Sequence, residues 1–287
     1  MKLLLARCAC TVLLLATLCS AAEPGAEEFA WLAGDMVQVA EHRTDLMPLP
    51  KQSPQPLMAY LARPDGPGQY PAVIELHGCN GFGPWDVARA DVLKSFGYVA
   101  LALGSLGDLN ACSGRGADGA LAEAFDAYAA LDWLTQQDYV DADRVALLGF
   151  SMGAQATLDA VEPRLIEDKK PRHFRAAIAY YPWCKDRSGL ATVPTLILVG
   201  DKDDWTHASW CQEMMSRRDG KGSPVALVVY PGATHSFNVP APSREYLGHH
   251  LEYDAKATAD AWAQVRTFLH ERLGGSKAAD QTGNPRP

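Results

Sequence analysis

Short, almost wholly apolar runs recur along the chain, and between them the apolar residues space out to a helical period. Pro71–His77, Tyr98–Leu103, Arg144–Leu148, Ala176–Tyr181, Leu196–Val199 and Val225–Tyr230 have strand length and hydrophobic residues at adjacent positions. That is the pattern of strands covered on both faces. Asp86–Phe96 reads as an amphipathic helix closed by Gly97. Asp118–Gln137 repeats apolar residues at 121, 125, 128, 131 and 134, and Glu252–Leu273 places Trp262, Val265 and Leu269 on one face. Ahead of these, Asp35–Arg43 and Leu57–Arg63 read as two strands of a meander, joined by a Pro-rich stretch from Pro48 to Pro56. Strands alternating with helices predict an α/β fold with a doubly wound, mostly parallel sheet flanked by helices. No internal repeat or long linker divides residues 23–273, which are expected to form a single domain; residues 274–287 are rich in Gly, Pro and polar side chains and read as a disordered tail.

Residues 1–22 stand apart from this pattern. Lys2 and Arg7 make a positive start, Val12–Leu18 an apolar stretch too short for a good membrane span, and Ser20-Ala21-Ala22 a small-residue cleavage site before Glu23. These are the marks of a secretory signal peptide, so a secreted or periplasmic protein is expected. Cys19 offers the alternative of lipid attachment, which Leu18 disfavours because such sites take a small residue there. Cleavage removes two of the 26 Lys and Arg and none of the 34 Asp and Glu, so the formal net charge of −8 becomes −10. No basic stripe remains, which argues against nucleic acid or an anionic membrane as partner. Beyond residue 22 no apolar stretch reaches membrane length. Oligomeric state is not readable from the chain.

Export changes how the cysteines read. Cys79, Cys112, Cys184 and Cys211 remain after cleavage, an even number in an oxidising compartment, and three pairings are open to them. Sequential pairing is expected, because Cys79 and Cys112 follow strands that should be neighbours and Cys184 and Cys211 do so more loosely. Each closed loop of about 30 residues would contribute on the order of 3–4 kcal/mol. No CxxC or His/Cys spacing suggests a metal site, and no cofactor is expected.

The chemistry centres on Gly149-Phe150-Ser151-Met152-Gly153, set between the apolar run Arg144–Leu148 and the small-residue helix that starts at Ala154. Glycines two residues either side of a serine allow a turn tight enough to expose Oγ at a helix N-terminus, the nucleophile elbow. Two later strands end in complementary groups: Gly200-Asp201-Lys202-Asp203-Asp204 follows one, and Pro231-Gly232-Ala233-Thr234-His235-Ser236-Phe237 the other. Serine needs a histidine to take its proton, and the imidazole needs a carboxylate to fix its tautomer. The order Ser, Asp, His, each after a strand, matches that requirement. Adjacent acids cannot be separated by spacing alone, so Asp204 competes with Asp203, while Asp201 suits a turn or a cap.

With these motifs and His77-Gly78-Cys79-Asn80-Gly81 in view, the chain resembles the dienelactone hydrolase family of α/β-hydrolases from about Leu57 to Leu273. The resemblance implies the α/β-hydrolase fold and a triad of Ser151, Asp203 and His235, since similar proteins carry the acid at the fourth residue of Gly-x-x-Asp. It departs in two places. The family's namesakes have cysteine at the elbow where this chain has Ser151, and an acidic residue after the third strand where it has Gly78. Both departures point away from dienelactone and towards a serine esterase on the same scaffold. An oxyanion requires two fixed N–H donors, each worth about 10²–10³ in rate; the backbone amides of Met152 and Cys79 are the expected pair. Cys79 lies off the elbow and is not read as a nucleophile, and His77 is expected to order its own loop.

Phe82, Trp85, Trp183 and Trp205 follow strand ends, where α/β sheets bind ligands, and are candidates for an apolar substrate wall or for simple packing. Arg115 reads either as a receptor for a substrate carboxylate or as a solvated loop residue. His173, His207, His249, His250 and His270 have no triad context and read as surface or helix residues. The expected partner is a small-molecule ester or lactone. A peptidase or amidase on the same triad, and a non-catalytic binding protein on the same scaffold, are the alternatives.

Overall fold

A computed structural model describes residues 35–40, 56–105, 112, 116–163, 165 and 170–274. Residues 1–22 with Cys19, Arg115, most of the Pro-rich stretch and the stretch beyond Gly274 lie outside the described residues. Ten strands and five helices are seen among them: β1 (Asp35–Ala40), β2 (Leu57–Ala62), β3 (Tyr70–Leu76), α1 (Pro84–Ser95), β4 (Val99–Gly104), α2 (Gly116–Leu134), β5 (Val140–Phe150), α3 (Met152–Ala160), β6 (Ala176–Tyr180), β7 (Thr195–Gly200), α4 (Ala208–Arg217), β8 (Val225–Tyr230), β9 (Arg244–Tyr246), β10 (His249–Leu251) and α5 (Ala255–Leu273).

Eight strands form one sheet in the order β1-β2-β4-β3-β5-β6-β7-β8, while β9 and β10 make a separate antiparallel hairpin. β2 runs antiparallel to both β1 and β4, and every pairing from β4 to β8 is parallel. The parallel strands are the apolar runs of the sequence: β3, β6 and β7 are buried at every position. Such strands are stable only when helices cover both faces, and right-handed crossovers deliver them there. The sheet is mostly parallel and doubly wound, as the sequence pattern predicts. α2 packs on α3 over one part of the sheet, and Phe96 at the end of α1 meets Trp262 of α5 edge-on, with centroids 6.1 Å apart.

β3 is the switch point: its successor β4 lies on one side and β5 on the other. Loops leaving β3 and β5 therefore diverge and open a crevice at the carboxyl ends of the strands. The register Leu76↔Gly149 brings the His77–Gly83 loop directly beside the elbow. α1 begins two residues earlier than the periodicity suggests, because Pro84 suits the first helical turn and the Asp86 carboxylate accepts the Gly83 N–H at 2.7 Å.

Candidate active site

The elbow is built by close backbone approach. A Cβ on Gly149 would lie 2.0 Å from the Gly153 carbonyl oxygen, and one on Gly153 would lie 2.4 Å from that of Leu76. No side chain fits either gap, so both glycines are steric requirements of the turn. Ser151 sits between them at φ 54°, a conformation L-residues rarely adopt, and opens α3.

His235 follows β8 and is almost fully buried, at 2% exposure. Its Nε2 lies 2.9 Å from Ser151 Oγ, and its Nδ1 lies 2.8 Å from Asp203 Oδ2. With Nδ1–H donating to the carboxylate, the Nε2 lone pair faces the serine hydroxyl. The structure thus brings together three side chains far apart in sequence. Asp203 is itself fully engaged: Oδ1 accepts the Trp205 N–H at 2.9 Å and the Thr206 N–H at 2.7 Å, and Thr206 Oγ1 stands 2.9 Å from Oδ2. Burial pushes the Asp203 carboxyl up, but the charge and hydrogen bond of His235 and the bonds from Thr206 outweigh it and hold the group below its ordinary value.

The neighbouring acids have other partners. Asp204 is half exposed and meets His249 Nδ1 at 3.3 Å and the His250 N–H at 3.3 Å. Asp201 accepts the Gly232 N–H at 2.7 Å, a turn contact. His249 and His250 lie on β10; the His250 side chain is at the surface, as expected, while His249 stacks on Trp205 with centroids 4.3 Å apart. His250 stands between Glu245 and Glu252, whose hydrogen bonds push its imidazole up.

On the other side of Ser151 lies the loop after β3. A Cβ on Gly78 would contact Ser151 Cβ at 3.7 Å, so this loop packs directly against the elbow. The Gly153 N–H donates to the His77 carbonyl at 3.1 Å and joins the two turns. Among the described residues, neither the Cys79 nor the Met152 N–H has a backbone acceptor in the loops and turns. The His77 ring is buried, with Nδ1 2.7 Å from the Gly78 carbonyl and 3.1 Å from Glu123 Oε1, and Nε2 2.7 Å from the Ser105 carbonyl. It orders its own loop, as expected. Disulfides join Cys79 to Cys112 and Cys184 to Cys211.

A cleft of about 220 Å³ opens over Ser151 and His235. Phe82, Trp85 and Trp205 line it, together with Phe150, Tyr181 and Tyr246. Trp183 does not. Tyr181, at φ 42°, turns the chain so that its own ring faces His235 at 4.6 Å, and Trp183 packs outward on Trp210, also at 4.6 Å. Several contributors, Tyr181 among them, were missed in the sequence. Thr206 supports Asp203. Arg244, Tyr246 and Leu251 come from the hairpin, whose three-residue strands lack apolar alternation; the Leu247-Gly248 turn at its tip was the available signal.

Arg89 of α1 also lines the cleft; it lies 3.9 Å over the Phe150 ring and pairs with Asp86 at 2.6 Å and Glu75 at 3.0 Å. Burial drives the Glu75 carboxyl well above its ordinary value despite the opposing charge of Arg89. Among the described residues, no group of three or more His, Cys, Asp or Glu is arranged to hold a metal ion, and no helix is long and apolar enough to cross a membrane.

A mostly parallel sheet with a strand–Ser–helix elbow at its switch point defines an α/β-hydrolase fold. The chain belongs to the dienelactone hydrolase family, whose family model matches residues 57–273. It is 26% identical over 249 residues to a Bradyrhizobium protein named as a probable 2-oxo-3-(5-oxofuran-2-ylidene)propanoate lactonase, covering 77% of this chain and 91% of that one. It is also 26% identical to human acyl-coenzyme A thioesterase 6, covering 85% of this chain and 71% of that protein. Among solved structures, a dienelactone hydrolase-like promiscuous phosphotriesterase from metagenomic libraries superposes with a TM-score of 0.65 at 24% identity, over 84% of this chain and 100% of that one. Esterase 2 of Thermogutta terrifontis gives 0.60 at 15%, over 85% and 96%. The protein is a hydrolase of this family.

Proposed function

We propose that the protein is an exported serine hydrolase that cleaves carboxylic esters or lactones through an acyl-enzyme. The observation that carries the reading is the relay Ser151 Oγ–His235 Nε2–His235 Nδ1–Asp203, with links of 2.9 and 2.8 Å. Ser151 Oγ attacks the carbonyl carbon as its proton passes to His235 Nε2, and Asp203 stabilises the imidazolium that forms. The Cys79 and Met152 N–H groups receive the oxyanion. Collapse expels the alcohol oxygen, which takes the proton back from His235. Water, deprotonated by the same nitrogen, then attacks the acyl carbonyl and releases the acid. No step calls for a cofactor. In a lactone the expelled alcohol stays tethered to the acyl group through the carbon chain, and the second attack releases both as one hydroxy acid.

The substrate class is supported by the relatives, one named as a lactonase and one as a thioesterase, and by a small aromatic-lined cleft suited to a small molecule. Export is supported by residues 1–22 and by the two disulfides. A fluorophosphonate probe should label the protein at Ser151 and leave Ser151→Ala unlabelled; a folded parent protein that takes no label overturns the mechanism. A panel of p-nitrophenyl esters, five- and six-membered lactones, acyl thioesters and peptide anilides should show turnover of the first two classes, and anilide turnover exceeding theirs would replace the esterase reading. Mass measurement of the protein recovered from its host should give Glu23 as the first residue.

A further inference from the structure

The proposed oxyanion donor Cys79 lies on a short glycine-rich loop, and a donor displaced by about 1 Å can cost on the order of 10²-fold in rate. What fixes that amide is therefore a catalytic question. The start of the loop is secure: the His77 carbonyl is held by the Gly153 N–H, and the His77 ring is buried against Ser105 and Glu123. Beyond Gly78 the backbone has one internal bond, Gly81 N–H to the Gly78 carbonyl at 3.1 Å. Among the described residues, two side-chain ties act at Cys79 and its neighbour Asn80. Asn80 Oδ1 accepts the Tyr246 hydroxyl at 2.8 Å, and the Cys79 side chain is bonded to Cys112. Cys112 belongs to the connection that leaves β4, the strand paired with β3. The bond thus ties the loop after β3 to Cys112, and its Cys79 end lines the cleft.

We propose that Cys112 is a positioning residue: its disulfide to Cys79 holds the Cys79 N–H in place for the oxyanion. This rests on the serine-hydrolase reading. The second disulfide supplies an internal control. Cys184 and Cys211 are fully buried in a cluster with residues of α3, β6, β7 and α4, are not among the residues lining the cleft, and tie a loop to α4. The two bonds should therefore separate in their effects, one acting on rate and the other on stability.

The test compares Cys79→Ser/Cys112→Ser with Cys184→Ser/Cys211→Ser. Serine at position 79 keeps the backbone N–H, so only the fastening is lost. kcat for p-nitrophenyl butyrate is expressed per serine titrated by the fluorophosphonate, which counts folded sites alone. The first pair should lose about 10- to 100-fold in kcat with KM within about threefold. Affinity for a trifluoromethyl ketone, whose hemiketal with Ser151 carries the oxyanion, should fall by the same factor. The second pair should lower Tm and leave kcat per titrated site within about twofold.

If the first pair does not fold, the native protein is titrated with dithiothreitol. Each dithiol gives up two hydrogens to Cys79–Cys112, becomes a cyclic disulfide and leaves two cysteine thiols. Loss of kcat in step with alkylation of Cys79 and Cys112, reversed on reoxidation, supports the assignment. Unchanged kcat per titrated site in either experiment, or a loss confined to KM, overturns it. A parent protein that the fluorophosphonate never labels overturns the hydrolase reading, and this assignment with it.

Discussion

Replacing Asp203 by Asn tests the relay most sharply, because the structure fixes how the amide must sit. The Oδ1 position receives two backbone N–H groups, from Trp205 and Thr206, at 2.9 and 2.7 Å. Only the amide oxygen can occupy that seat, so the NH₂ group must take the Oδ2 seat, 2.8 Å from His235 Nδ1 in the parent protein. It then donates to Nδ1, which must give up its own hydrogen. The imidazole proton moves to Nε2 and points at Ser151 Oγ, leaving no lone pair to accept the serine proton. The inverted tautomer should lower kcat by about 10⁴, equivalent to about 5.4 kcal/mol of transition-state stabilisation. Fold and substrate binding should survive, so KM should move by less than about threefold and Tm by a few degrees. Initial rates on p-nitrophenyl esters measure this directly, with Asp204→Asn as the companion. Among the described residues, the polar partners of Asp204 lie on the hairpin, and its amide should keep activity within about twofold. An active Asp203→Asn beside an inactive Asp204→Asn would show that the wrong carboxylate has been assigned.

Three further outcomes are expected. Gly149→Ala should cost about 3 kcal/mol or more, because its methyl group meets the Gly153 carbonyl at 2.0 Å and backbone cannot step aside; a Tm within about 3 °C of the parent would refute the packing argument. Glu75→Gln should raise Tm progressively more as pH rises from about 4.5 to 8. A buried carboxyl held well above its ordinary value stabilises the fold below that value and loses the contribution as the unfolded chain ionises. A Tm difference that is flat with pH would refute that. Asp203 runs the other way: its lowered carboxyl supports the fold above the ordinary Asp range, near 3.8, and the support is lost as pH falls below it. The stability gap between parent and Asp203→Asn should accordingly narrow in acid unfolding between about pH 5 and 2, and a gap that widens would contradict the assigned sign.

Much of the scaffold was legible because the parallel strands are continuous apolar runs and the glycines of the elbow are steric necessities. Boundaries were less so: Pro84 and Asp86 move the start of α1 forward, and both belong to a recognisable N-terminal pattern. The choice between Asp203 and Asp204 was undecidable from spacing, since a tight turn decides which of two adjacent carboxylates faces inward. Here the N–H groups of Trp205 and Thr206 capture Asp203. Between the two readings of Trp183 the structure favours packing, because the left-handed backbone at Tyr181 turns the ring towards Trp210 and off the cleft. The hairpin went unseen because Arg244-Glu245-Tyr246 and His249-His250-Leu251 gain their order from contacts with Asn80, Trp205 and Asp204, not from any periodicity of their own.

That hairpin also separates two jobs within one small volume. The reacting groups hang from the sheet and its turns, whereas Arg244 and Tyr246 border the opening from an excursion inserted between His235 and α5. Exchanging Arg244 should change which molecules are admitted while the proton relay stays untouched, whereas Leu251 pairs with His235 itself. New selectivity on this framework is therefore best sought at Arg244, since Tyr246 also ties Asn80 of the loop after β3.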